Sequence, residues 1–301
     1  MHVFVTGASG FIGRAVVAEL VDNDHEVTGL ARSDESAAVV RKLGAAVHRG
    51  DLDDLDSIRV ALENVDAVVH LANKHDWSNP AENDRAARAA VETISEALVG
   101  SDRPLVLASA TALAGQPGMG RPATEDDPSR AVGRASLRGG EENLALDYVD
   151  RGVRAIPVRF ATSVHGEGDP NFIAIVSRAA RRRGSVPYVG DGANRWPAVH
   201  RSDAARVLRL GLESAPAGTI LHAVAEEGIA FREIAEALAA RLGVRAESVT
   251  AEQIADEIPF VGRFVAADCP ASSAIMRAVL GWEPTGPTLL EDIAAGHYDQ
   301  A

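Results

Sequence analysis

Three glycines, Gly7, Gly10 and Gly13, stand at x-x spacing directly after the apolar run His2–Val5 and directly before a helical pattern over Phe11–Val21. In that context a common pattern becomes specific for a dinucleotide pyrophosphate. The first glycine permits a tight turn, the second lets backbone approach the phosphates, and the third lets helix pack on strand. The helix N-terminus adds unpaired N–H groups and a partial positive charge. Thr6, Gly7, Ser9, Gly10, Phe11, Ile12 and Gly13 are the expected contacts. The second strand pattern ends in Arg32-Ser33. An acidic residue there would bind the ribose 2′-hydroxyl of NAD, whereas Arg neutralises the 2′-phosphate of NADP. Arg32 and Ser33 therefore predict NADP, with NAD the alternative because Asp34 and Glu35 follow at once.

The elements that must hold this turn alternate. Apolar runs at His2–Val5, Glu26–Ala31, Ala45–His48, Ala67–Leu71 and Pro104–Ala108 are separated by amphipathic stretches at Phe11–Val21, Ser36–Leu43, Leu55–Glu63 and Ala81–Val99. Such alternation predicts an α/β fold, a Rossmann-type doubly wound parallel sheet with right-handed crossovers. A helix over about Arg134–Arg151 is expected to lead into a strand at Val153–Phe160. Beyond it the texture changes: a glycine loop, a helix near Phe172–Arg183, an irregular segment with short strands over Pro187–Val199, and helices at Ser202–Leu212 and Phe231–Leu242. The expected division is a nucleotide-binding domain over residues 1–165, with 198–224 returning to it. Residues 166–197 and 225–301 would form a smaller substrate-binding α/β cap.

The 301 residues carry 43 acidic and 30 basic side chains, a net charge of −13. A polyanionic partner would be repelled over most of the surface, which argues against nucleic acid or anionic membrane. Arg181-Arg182-Arg183 precede Gly184 and read as a solvated helix end. Cys269 is the single cysteine, so no internal disulfide forms. No apolar run reaches the ~18 residues of a membrane span, and the chain enters a strand at once, so a cytoplasmic protein is expected. Neither His-x-x-x-His spacing nor a Gly-x-Ser-x-Gly elbow occurs, and no metal site is expected.

Thr6-Gly7-x-x-Gly10-x-x-Gly13, Gly50-Asp51-Leu52, Val69-His70-Leu71-Ala72, Val164-His165-Gly166, Val199-His200-Arg201-Ser202-Asp203 and Leu280-Gly281-Trp282-Glu283-Pro284 occur in this order. As an ensemble they resemble the extended short-chain dehydrogenase/reductase family over nearly the whole chain. The resemblance implies adenosine contacts from Asp51 and Leu52, and cofactor contacts from Leu71, Ala72 and Asn73. It also implies a Tyr-x-x-x-Lys motif, and here the chain departs from it. Arg134 stands for Tyr and Arg138 for Lys, with Glu142 where that family often has Glu; this resembles its atypical subset. None of Tyr148, Tyr188 and Tyr298 has Lys four residues on. Arg138 could hold ribose hydroxyls, as a fork rather than a point charge. Arg134 cannot donate a proton, since its pKa exceeds ~12, but it could stabilise an alkoxide. Both could equally be surface arginines.

Ala110 fills the family's usual Ser/Thr slot, flanked by Ser109 and Thr111, whose hydroxyls could bind a substrate oxygen or simply satisfy backbone. For the proton, His75 after the fourth strand and His165 after the sixth are candidates, as is a water relayed by Thr111. The resemblance places an Arg, in sugar-nucleotide members, where Trp196 stands. With Trp77, Phe172 and Tyr188, Trp196 predicts an apolar lining and a small hydrophobic substrate. The resulting expectation is an NADP(H)-dependent oxidoreductase reducing a ketone or aldehyde. A non-catalytic NADP-binding sensor and an epimerase or dehydratase are the alternatives. The resemblance also implies a homodimer through Ala81–Val99 and Arg134–Arg151.

Overall fold

The computed structural model describes residues 1–74, 79–114 and 119–300. Seven strands form one parallel sheet: β1 (His2–Thr6), β2 (Glu26–Ala31), β3 (Ala46–Arg49), β4 (Ala67–His70), β5 (Pro104–Ala110), β6 (Arg154–Phe160) and, from much later in the chain, Leu221–Ala223. Their spatial order is β3-β2-β1-β4-β5-β6 and then Leu221–Ala223 at the edge. The chain therefore reverses its direction of winding between β1 and β4, and open sheets of this kind bind ligands at the carboxyl ends of such strands. Each central strand is buried on both faces, as parallel pairing under two helical layers requires.

One face carries Val3, Val5, Val69, Val106, Ile156 and Val158. It packs against α1 (Phe11–Asp22) and the later helix Arg201–Ser214, which lie along each other. Phe4, Val68, Leu105 and Leu107 point to the other face. There α3 (Leu55–Ala61), α4 (Pro80–Leu98) and α5 (Glu141–Leu146) follow in chain order, with α4 packed against both α3 and α5, while α2 (Asp34–Lys42) lies on the first face, its Val40 in the same core as Val3 and Val5.

A separate core surrounds Ile173, Val176, Trp196, Phe231, Ile234 and Leu238. It is built by α6 (Phe172–Arg183), by Phe231–Leu242, and by two small sheets. In chain order their strands are β7 (Ser163–His165), β8 (Ser185–Val189), β9 (Arg195–His200), β10 (Leu221–Ala223, already placed at the edge of the large sheet), β11 (Glu226–Ala230) and β12 (Arg245–Val249). β11, β9 and β7 make one sheet and β12 pairs with β8 in the other. The short strands expected within Pro187–Val199 are the end of β8 and most of β9. No described helix is long and apolar enough to cross a membrane.

The helix expected over Arg134–Arg151 does not form as one piece. A tight 3₁₀ turn at Leu137–Gly140, the short α5, and a second turn at Val149–Arg151 replace it. Arg138 at φ +57° and Gly140 at φ +68° are both left-handed. The Gly139-Gly140 pair weakens helix propensity and supplies that conformation. Arg134 and Arg138 consequently do not share a helical face.

Candidate functional site

The turn after β1 is fixed by contacts that only glycine satisfies. Gly7 has φ +70°, and a Cβ on it would lie 2.9 Å from the Ala72 amide nitrogen. A Cβ on Gly13 would overlap the Gly7 carbonyl. The Gly10 N–H donates to the Gly7 carbonyl at 2.9 Å, and Gly10 caps α1 without a side-chain bond. The first N–H groups of α1 are therefore directed outwards at the β1 edge, as an anion requires. Thr6 ties this turn to the end of β4. Its Oγ1 lies 2.9 Å from His70 Nδ1 and accepts from the Leu71 and Ala72 amides at 3.2 Å. Leu71, Ala72 and Asn73 follow, half-buried, beside the turn. Glycines that let the turn close on β4 and on α1, with helix N–H groups at its mouth, fit a dinucleotide pyrophosphate.

Further along the sheet edge, the exposed Asp51 shapes its own loop by accepting from the Asp53 and Asp54 amides, with Leu52 buried behind it. Arg32 is exposed and has neither ion pair nor hydrogen bond among the described residues. Ser33 caps α2, accepting from the Ser36 amide at 3.2 Å. Arg49, opposite Ala31 in the β2–β3 register, pairs with Asp34 at 3.1 Å.

At the ends of β5 and β6 the side chains are more heavily committed than the sequence suggests. The Ser109 hydroxyl donates to Glu142, whose carboxylate also accepts from Arg159 Nε at 3.1 Å and Nη2 at 2.6 Å. Arg159 donates on to the Asp127 carbonyl at 2.8 Å. Burial, with a smaller contribution from the Arg159 charge, holds nearby His222 down at about 4. Thr111 is buried, with its hydroxyl donating to the Phe160 carbonyl at 3.2 Å. Arg134 lies exposed on the loop, with no partner among the described residues. Arg138 is anchored: its amide donates to Asp84 at 2.7 Å, and its guanidinium pairs with Glu141. Burial, opposed by Arg138, pushes the Glu141 carboxyl up to about 7. Burial and the same guanidinium hold His70 down at about 3, hence neutral. Arg138 is thereby felt at the end of β4, one residue before Leu71.

A family model for the NAD-dependent epimerase/dehydratase family matches residues 3–223. The chain belongs to that family. Among relatives of this epimerase/dehydratase-family chain, an uncharacterized protein of Saccharomyces cerevisiae is 41% identical over 299 residues, 99% of each chain. The 4-hydroxy-2-methyl-3-oxo-4-farnesyl-3,4-dihydroquinoline-1-oxide ketoreductase of Stigmatella aurantiaca is 25% identical over 256 residues, covering 82% of this chain and 75% of that protein. A solved UDP-glucose 4-epimerase of Thermus thermophilus in complex with NAD superposes with a TM-score of 0.77 at 24% identity, over 100% of both chains, and shares the fold.

In this epimerase/dehydratase-family chain, His165 is fully buried at the end of β7. Its Nδ1 lies 2.6 Å from Asp292, and its Nε2 has no hydrogen-bond partner among the described residues. Burial lowers its pKa while Asp292 opposes the shift. His75 and Trp77 lie outside the described residues. Trp196, expected to line a cleft, is instead fully buried: its indole N–H donates to the Phe264 carbonyl at 2.8 Å and its ring packs edge-on against Phe231. Its alternation in β9 turns it into the cap core. Phe172 is half-buried among Phe260 and Phe264, and Tyr188 lies under the Arg232 guanidinium. Sequence reading missed Glu141, Asp84, Arg159 and Asp292. Only Arg159 left a signal, a charge inside the otherwise apolar run Ala155–Phe160.

Proposed function

We propose that the chain is an NADP(H)-dependent oxidoreductase that reduces the carbonyl of a small hydrophobic ketone or aldehyde without a catalytic tyrosine. The observation that carries this reading is the anchoring of Arg138, at the motif's lysine position, beside the β4 end that the glycine turn abuts. Thr6, Gly7, Ser9, Gly10, Phe11, Ile12 and Gly13 would hold the pyrophosphate, and Asp51 and Leu52 the adenosine. Arg32, with Ser33 and the neighbouring Arg49, would hold the 2′-phosphate. Leu71, Ala72, Asn73 and Arg138 would flank the nicotinamide ribose. A bound dinucleotide supplies or accepts a hydride.

The chain's own part is to orient the carbonyl, neutralise charge growing on its oxygen, and deliver a proton. Arginine stays protonated at working pH, so Arg134 acts as an electrostatic stabiliser. The proton comes from His75, from His165 at Nε2, or from water relayed at Thr111. Trp77, Phe172 and Tyr188 contribute the apolar side of the substrate pocket. The ketoreductase named for the Stigmatella relative supports carbonyl chemistry.

A second reading, a dinucleotide-binding sensor, is favoured by one observation: both Ser109 and Thr111 already spend their hydroxyls within the protein. Cofactor oxidation, followed with NADPH and NADH across apolar ketones and aldehydes, separates the two. Turnover with NADPH is the expected result. Binding without turnover across the panel would favour the sensor, and a preference for NADH would overturn the role given to Arg32.

A further inference from the structure

Glu141 is a buried carboxylate with almost nothing to hold it. Only Arg138 pairs with it, and its second oxygen has no hydrogen-bond partner among the described residues. The same holds for Nη2 of Arg138 and Nε2 of His70. Three buried groups therefore lack hydrogen bonds, with Arg138 paired to Glu141 and near enough to His70 for its charge to act there, and burial makes each missing bond costly. The groups facing Glu141 are Arg138 from its own turn, Asp84 from α4 and Glu142 from α5, with His70 of β4 beyond Arg138. Two of these are carboxylates and His70 is neutral, so Arg138 is the sole compensating cation among them.

We propose that Glu141 is a positioning residue: a proton-dependent counter-ion that decides how much of the Arg138 charge is presented to the dinucleotide at the sheet edge. This rests on the reading above that Arg138 faces the dinucleotide. When Glu141 is ionised it draws the guanidinium inward and neutralises it. When Glu141 takes a proton from solvent, the pair loosens and the guanidinium is released towards ribose and substrate oxygen. The burial that raises the Glu141 pKa towards neutrality puts this exchange in the working range. Because linkage is reciprocal, dinucleotide binding and proton uptake at Glu141 favour each other.

The test is NADPH affinity by calorimetry, from about pH 6 to about pH 8.5, for wild type, Glu141→Gln and Arg138→Gln. Titration of the ligand's own phosphate is common to all three and cancels in their ratios. Wild-type affinity should fall about five- to tenfold more steeply with rising pH than that of Glu141→Gln. Arg138→Gln should bind weakly with the same flattened profile. If Arg138→Gln weakens binding but Glu141→Gln keeps the wild-type slope, the role of Glu141 is overturned and that of Arg138 stands. If Arg138→Gln binds like wild type, the placement of Arg138 at the dinucleotide fails first. Should Glu141→Gln not fold, carbon-13 titration of the wild-type carboxyl gives the same answer. Its midpoint should rise by about 0.7 to 1 pH unit when NADPH is bound, and an unmoved midpoint sinks the proposal.

Discussion

Glu142 and Glu141 stand side by side at the start of α5, each 2% exposed. Glu142 accepts from Ser109 and from two nitrogens of Arg159, and Arg159 is itself tied to the Asp127 carbonyl. Glu141 has one arginine, which is itself one-fifth exposed. The first carboxylate has its charge and lone pairs satisfied, which is the condition under which a buried ion pair is tolerated. The second is left at the margin between ionised and neutral. One carboxylate is therefore fixed by its donors, while its immediate neighbour is left free to respond to pH.

The largest effect should come from breaking the satisfied side. Arg159→Leu leaves Glu142 buried without its cation, at a cost of about 3–5 kcal/mol, read by denaturant unfolding at neutral pH. A cost under about 1 kcal/mol would mean that Glu142 finds water or another donor, and the contrast would collapse.

Next comes the pH dependence of the responsive side. The folded Glu141 carboxyl titrates at about 7, above the ordinary ~4.3 of an unfolded glutamate. Between those values the native protein holds a proton that the unfolded chain has released. Stability therefore falls as pH rises through that window, and the loss is complete above it. Glu141→Gln should match wild type near pH 5 and exceed it by up to about 3 kcal/mol near pH 8.5. Parallel stability curves for the two proteins would show that Glu141 is ionised throughout.

Smaller still, Ser109→Ala removes one donor of three from Glu142 and should cost about 1 kcal/mol, with little change in turnover. A turnover loss beyond about tenfold at intact stability would return Ser109 to the substrate. Arg134→Ala should change stability by less than about 0.5 kcal/mol, since its side chain is exposed and unpaired among the described residues. Any loss of turnover in that variant therefore reports on the site alone.

The same contrast explains what could be read from the residues. Elements set by local pattern were legible: Glu26–Ala31, Phe172–Arg183 and Phe231–Leu242 begin and end where periodicity places them, and the glycine turn follows from spacing plus context. The loop carrying Arg134 and Arg138 was read as a helix, because its average propensity hid the effect of Gly139-Gly140. Trp196 was read as lining because an aromatic in a Gly- and Pro-rich stretch looks the same whether it faces a cleft or a core. The partners of Ser109 and His165 come from α5 and from the segment around Asp292, 33 and 127 residues away, and the Arg138 amide is held by Asp84 of α4, 54 residues back. No local rule joins residues so distant, and those partners decide protonation.

The last strand of the large sheet, Leu221–Ala223, and the helix Arg201–Ser214 that lies along α1 have a consequence for synthesis. The first six strands and the glycine turn emerge from the ribosome well before the cover for α1 and the neighbour of β6 exist. Until residue 223 is made, the apolar stripe of α1 and one edge of β6 stay open to water or to other chains. A truncated or paused product ending near residue 165 should be a holdase client rather than a small folded domain, even though it carries every residue proposed to hold the dinucleotide.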